Sequence, residues 1–170
     1  MIELAIDRTW DGTPVPAAER AVLRLAIEGD ELVIDVDAPF HGDPEPDAPV
    51  GATDRLWEHE VVELFVVGDG ETYTEIELSP HGHHWVLRLE GIRRAVEKGV
   101  DIAFTSTIVG DRWTGRARIA LDHLPPVRRT ANAFRIAGVG SERRFFAWRA
   151  VPGDGPNFHR LEHFGPWPLD

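Results

Sequence analysis

Apolar and polar positions alternate along most of this chain, with a period of two. Leu32, Ile34 and Val36 share one parity of the run Glu31 to Ala38, and Glu31, Asp35 and Asp37 share the other with Val33. A strand sends successive side chains to opposite faces, so such runs predict half-buried β-strands. The pattern predicts strands at Ile2 to Thr9, Ala21 to Ile27, Glu31 to Ala38, Leu56 to Val67, Thr72 to Leu78, His84 to Leu89, Ile102 to Val109, Arg112 to Ala120, Phe134 to Val139 and Phe145 to Ala150. Phe164 to Leu169 is read as an edge strand, where its prolines are tolerated. Short turns such as Glu28-Gly29-Asp30 and Gly110-Asp111 mark hairpins. Ile92 to Lys98 and Leu121 to Leu124 are read as short helical turns. Residues 39–54 are too rich in Pro and Asp for a central strand and form a long loop, functional or mobile.

This organisation implies an all-β fold, a two-sheet antiparallel β-sandwich spanning residues 1–170 as one domain. Sixteen Gly and thirteen Pro cut the chain too finely for long helices, and 42% hydrophobic residues with six Trp suffice for a core. The formal net charge of −11 disfavours nucleic acid and anionic membranes. There is no cysteine, no secretory signal pattern at the N-terminus and no apolar run of about 20 residues. The expectation is a cytoplasmic protein, monomer or dimer, without a cofactor.

The segment Leu56 to Leu89 carries the most chemistry. Glu63 sits between Val61 and Phe65, and Glu75 and Glu77 share the parity of Tyr73. These carboxylates line one sheet face, which suits a polar ring-shaped ligand, and equally suits a solvated surface. Trp57 and Glu63 share a parity, but six residues of ideal strand span roughly 20 Å. Both touch one ligand only if Trp57 folds back from a preceding loop. Two registers of the following hairpin compete: one sets Arg88 opposite Glu75, the other sets Trp85 opposite Glu77. In the tail, Asn157, Phe158 and His159 lie on a loop after Trp148. His81, His83 and His84 fall in one turn and are the weaker candidates for a metal site. No GxGxxG, GxxxxGK[ST] or GxSxG motif occurs.

The segments TWDG (Thr9 to Gly12), APF (Ala38 to Phe40), LWEHEVVELF (Leu56 to Phe65), YTEIELSPHGHH (Tyr73 to His84) and NFHRLEHF (Asn157 to Phe164) resemble an uncharacterised family of small stand-alone proteins in bacteria and animals. That family is distantly similar to the DOMON-like, type 9 carbohydrate-binding module superfamily, whose fold is a β-sandwich. In those carbohydrate-binding relatives two aromatics clamp a terminal sugar, while acids, an Arg and an Asn bond its hydroxyls. The resemblance maps the first aromatic and key acid onto Trp57 and Glu63, the second aromatic onto Trp148 or Phe158, and the amide onto Asn157. The relatives' Arg falls near the strand where this chain has Glu75 and Glu77, so Arg88 takes that role from the next strand.

The expected function is therefore binding of a small molecule, a carbohydrate or glycoside, through Trp57, Glu63, Glu75, Glu77, Arg88, Trp148, Asn157 and His159. The alternatives are a hydrolase or isomerase, which requires a carboxylate and a His together in one pocket, and a protein-interaction module, which requires neither.

Overall fold

A computed structural model describes residues 1–169; Asp170, the last residue of the expected domain, lies outside the described residues. The strands are β1 (Ile2–Ile6), β2 (Arg8–Thr9), β3 (Ala21–Glu28), β4 (Glu31–Pro39), β5 (Val61–Val67), β6 (Thr72–Leu78), β7 (His84–Glu90), β8 (Ala95–Lys98), β9 (Ala103–Val109), β10 (Arg112–Ala120), β11 (Thr130–Ala137), β12 (Arg144–Ala147) and β13 (Gly165–Pro166). They form two antiparallel sheets. The smaller runs β1-β3-β4-β10-β9, and the larger runs β2-β12-β11-β5-β6-β7-β8, with β13 paired to β11. The all-β sandwich read from the sequence is the fold.

Alternation produces the inter-sheet core. Leu23 and Leu25 of β3, Leu32, Ile34 and Val36 of β4, and Ala117 and Ile119 of β10 face Val62, Leu64 and Val66 of β5 with Ile76 and Leu78 of β6. All of these are buried. At roughly 1.5–3 kcal/mol for each large aliphatic side chain, this layer is the main source of stability.

The larger sheet is unusual in that its second face is also covered. Phe65 of β5, Tyr73 of β6, Leu89 of β7 and Phe134 of β11 join Leu56, Val151, Phe158 and Phe164 in a separate apolar cluster. Rings stack through it: Phe134 and Phe158 lie 3.9 Å apart, centroid to centroid, at 7°. Every residue of β5 is buried as a result. The molecule thus has three layers, two sheets and a mantle of loops.

The structure differs from the expected elements in four places. Ile2 to Thr9 is two strands, because the chain crosses after Ile6 from the smaller sheet to the larger, where Arg8 and Thr9 pair Ala147 and Phe146. Leu56–Glu58 is a 3-10 turn and the strand begins only at Val61. The segment read as helical at Ile92 to Lys98 is a turn and an edge strand, since Gly91 and Arg93 adopt left-handed φ of 91° and 58° and reverse the chain. The 3-10 turn at Leu121–His123 occurs as expected. The final edge strand is cut to Gly165–Pro166, in register with Thr130 and Ala131.

The loop of residues 40–55 is tied down. Asp43 accepts a 2.7 Å bond from the Gly138 N–H, and Glu60 accepts one of 2.7 Å from the His41 N–H. The Thr53 N–H donates to the His84 carbonyl at 2.9 Å. These bonds carry the chain across the edge of the sheet and deliver Asp54 and Trp57 over its outer face.

Candidate functional site

A cleft of about 330 Å³ opens through the mantle on the outer face of the larger sheet. Its floor comes from the strands. Glu63 and Glu77 are direct cross-strand partners on β5 and β6, and Glu75 shares their face two residues along. Of the two registers open to the next hairpin, the one formed places Trp85 opposite Glu77 and Leu87 opposite Glu75. Its walls come from loops and edges: Trp57 from the 3-10 turn, Phe145 from β12, Phe158 and His159 from the tail, Arg93 from the β7–β8 reversal and Lys98 from the end of β8. Trp57 folds back over the sheet, 39% exposed, as a shared site with Glu63 requires. Arg143 holds that turn by donating to the backbone carbonyls of Trp57 and Glu58.

Burial dominates the electrostatics. Glu63, Glu75 and Glu77 are at most 5% exposed. Desolvation raises the pKa of Glu63 well above the carboxylate range, with Glu75 adding repulsion and Arg143 opposing. Glu77 is raised similarly by burial and then by Glu63 and Glu75. Neither of its oxygens makes a hydrogen bond, although the Trp57 amide and the Glu75 carboxyl act on its charge. Glu75 is pushed up to about 7 by burial, with Arg93 opposing. Burial therefore favours the protonated form at all three carboxyls.

His159 is fixed from below. Tyr73 Oη accepts the Arg93 N–H at 2.9 Å and lies 2.7 Å from His159 Nδ1. With Tyr73 as the donor, Nδ1 accepts and the imidazole N–H stands at Nε2. That nitrogen is 3.8 Å from Glu75 Oε2. Burial, then the charge of Arg93, lowers the His159 pKa to about 4, so the ring is neutral at pH 7. Asn157 stands at the rim, its Oδ1 accepting from Arg93 Nη2 at 2.9 Å and from the His159 N–H at 3.1 Å. The Trp85 indole N–H has no partner among the described residues, although the side chain lines the cleft.

Of the residues singled out from sequence, Trp57, Glu63, Glu75 and His159 line the cleft, Glu77 lies directly behind, and Asn157 braces its edge. Arg88 does not take part. It pairs with Thr74, so it has the opposite parity to Glu75, and it bonds Glu97 at 2.8 Å at the surface. Trp148 is also elsewhere, packed on the inter-sheet core beneath the Arg149 guanidinium. The aromatics that line the cleft with Trp57 are Phe158, Trp85 and Phe145. The three turn histidines diverge: His83 Nε2 meets the Ala48 carbonyl at 3.0 Å, His84 faces Asp101 at 3.6 Å, and His81 packs edge-on to Phe40. Among the described residues no three His, Cys, Asp or Glu side chains converge as metal ligands. Tyr73, Trp85, Arg93 and Phe145 had not been singled out. Tyr73 and Trp85 had visible parity, whereas nothing in the sequence marks Arg93 as a turn residue.

No protein-family model matches the chain. It is 36% identical over 178 residues to the UPF0462 protein C4orf33 homolog of Mus musculus, covering 98% of this chain and 91% of the mouse protein. It is also 36% identical to UPF0462 protein C4orf33 of Homo sapiens, covering 96% of this chain and 86% of the human one. Among solved structures, a Bacteroides uniformis protein assigned as carbohydrate-binding superposes with a TM-score of 0.76 at 15% identity, over 100% of this chain and 87% of that one. A family 9 carbohydrate-binding module from Caldicellulosiruptor kristjanssonii, in complex with glucose, superposes at 0.60 and 15% identity, over 97% of this chain and 82% of that one. At such identities the likeness is one of fold.

Proposed function

The chain belongs to the UPF0462 family, and from that premise and the cleft we propose a single binding domain whose small-molecule ligand is a carbohydrate. The observation that carries this reading is the composition of the cleft. Trp57, Trp85 and Phe158 offer ring faces for C–H groups, and the carboxyls of Glu63 and Glu75 offer bonds for hydroxyls. Partly protonated carboxyls both donate and accept, as a sugar hydroxyl does. The carbohydrate-binding neighbours in fold support the same class.

Calorimetry and thermal shift against glucose, other monosaccharides and their glycosides test this. A ligand of the native state raises the melting temperature, by RT ln(1 + [L]/Kd) in free energy. Trp57→Ala is expected to weaken binding by about tenfold, the loss of one stacked ring. If no sugar shifts the transition, the carbohydrate reading is wrong.

One contact favours a second reading. Glu75 and His159 share the cleft 3.8 Å apart, a carboxyl near neutrality beside a neutral imidazole. Such a pair can move a proton to or from a bound sugar. Turnover of nitrophenyl glycosides, lost in Glu75→Gln, would establish that reading, and bound glycosides that stay intact would remove it.

A further inference from the structure

The floor of the cleft has a charge deficit that the protein itself does not fill. Buried acids in folded proteins are normally paired with a cation or satisfied by hydrogen bonds. Here both buried oxygens of Glu77 are without a hydrogen-bond partner among the described residues. Among the described residues none of Glu63, Glu75 and Glu77 forms an ion pair with an Arg or Lys, and the single close basic group, His159 at 3.8 Å from Glu75, is uncharged at neutral pH. Two of the neighbouring cations are committed elsewhere. Arg93 donates to Asn157, and Arg143 donates to the backbone of the Trp57 turn. Lys98, the only lysine of the chain, reaches the mouth of the cleft and pairs with no acid among the described residues. Two electron-rich rings border this floor, Trp57 from the 3-10 turn and Trp85 from β7, cross-strand from Glu77. Aromatic faces above carboxylates form a cage for a ligand cation.

Resting on the carbohydrate reading, we propose that the cleft selects an amino sugar: the ring lies against Trp57 and Trp85, and its ammonium group sits on Glu63 and Glu75 with Glu77 behind them. The ammonium supplies the counter-charge that the floor lacks. A neutral hydroxyl at the same place leaves the carboxyls protonated. The two ligands therefore differ in what they do to bound protons, since the ammonium drives a proton off the cluster and the hydroxyl does not.

Titration sets the sign of the pH dependence. The carboxyls facing the subsite are Glu63 from β5 and Glu75 and Glu77 from β6, all raised by burial. Tyr73, raised to about 12, stays protonated and His159, at about 4, stays neutral between pH 5 and 7. The other charged groups around the subsite are Asp54 at its mouth, Arg93 and Lys98 at its rim, and Arg143 behind Glu63. As pH rises from 5 to 7 the cluster gives up protons more readily, so the advantage of an ammonium over a hydroxyl grows.

The experiment is calorimetry of the full chain with glucosamine, glucose and N-acetylglucosamine at pH 7 and pH 5, in buffers of different ionisation enthalpy. Glucosamine is expected to bind about tenfold or more tightly than the other two at pH 7, the scale of a hydrogen bond to a charged group. Its binding should release protons, and the preference should shrink at pH 5. Glu63→Gln and Glu75→Gln, each confirmed folded by its melting curve, should reduce the preference, whereas Glu31→Gln on the other sheet should leave it intact. If glucose binds and glucosamine binds no better, the amino-sugar inference falls and the carbohydrate reading stands. If none of the three binds, both fall. Calcium ion alone giving the larger thermal shift and blocking glucosamine would also overturn the inference, by giving the floor to a metal.

Discussion

The two sheets dress their outer faces with the same residue types and arrive at opposite electrostatics. On the smaller sheet Asp35 of β4 stands opposite Arg116 of β10 and Asp37 meets Arg112 diagonally, with contacts of 2.9 and 2.7 Å. Arg118 reaches Glu28 and Glu31. Each of these acids has a guanidinium across the strand gap, and most of these side chains are a third or more exposed. On the larger sheet Glu63 faces Glu77, acid against acid, and the mantle buries both. The comparison shows that acids alternating on a strand say nothing about charge balance until the covering layer is known. A ladder of paired, wetted acids is a surface. An unpaired, covered cluster is a reservoir of unfavourable energy that a ligand can relieve.

Stripping the cover should turn one face into the other, and that is the largest effect expected. Phe158 is 8% exposed and stacks on Phe134, so Phe158→Ala should cost about 3–5 kcal/mol in denaturant unfolding. It should also lower the Glu75 pKa, read by carboxyl NMR, because water reaches the floor.

Next comes pH. A carboxyl whose folded pKa lies above its unfolded value contributes stability below the unfolded pKa, and that contribution is lost as pH rises through the folded value. For Glu75, raised from 4.5 to about 7, the loss amounts to about 3 kcal/mol at most. His159 works the other way between about 4 and 6.5, so the glutamate effect is cleanest above pH 6.5. Glu77→Gln should raise the melting temperature at pH 8 and leave it unchanged at pH 4.5. A Glu77→Gln variant that melts lower at both pH values would show that the cluster is not strained.

A smaller effect is expected at Gly99. Its φ is +69°, and an added Cβ would stand 2.8 Å from the Trp85 ring. Gly99→Ala should cost about 1–2 kcal/mol and weaken ligand binding by moving Trp85. The smallest belongs to the ladder: Arg116→Ala should change stability by less than about 1 kcal/mol, and 1 M salt should erase the change.

The strands were legible because period-two alternation is a local property, and Glu63, Glu75 and Glu77 could be set on one face from parity alone. What covers that face could not be read, since Phe145, Phe158 and Trp57 reach it from three distant segments. Register was undecidable for the same reason: both pairings of β6 with β7 keep Ile76 and Leu78 inward, and only the formed sheet shows Arg88 turned away. The β7–β8 reversal was hidden by Arg93, a side chain that seldom adopts a left-handed backbone and is held there by its N–H bond to Tyr73. Trp57 could be placed in the cleft only conditionally, and the condition was met by a 3-10 turn entered through Arg55 at φ 60°.

The crossing after Ile6 has a consequence in time. β1 finds its partner β3 within the first hairpins to leave a ribosome, but Arg8 and Thr9 must wait for Phe146 and Ala147. β5 likewise waits for β11. Pairings so distant along the chain form slowly. The smaller sheet's first three strands can assemble during synthesis, with their apolar face bare, while the larger sheet and its mantle close only when nearly the whole chain has been made. The interval between those events is when this protein most needs protection from other unfinished chains.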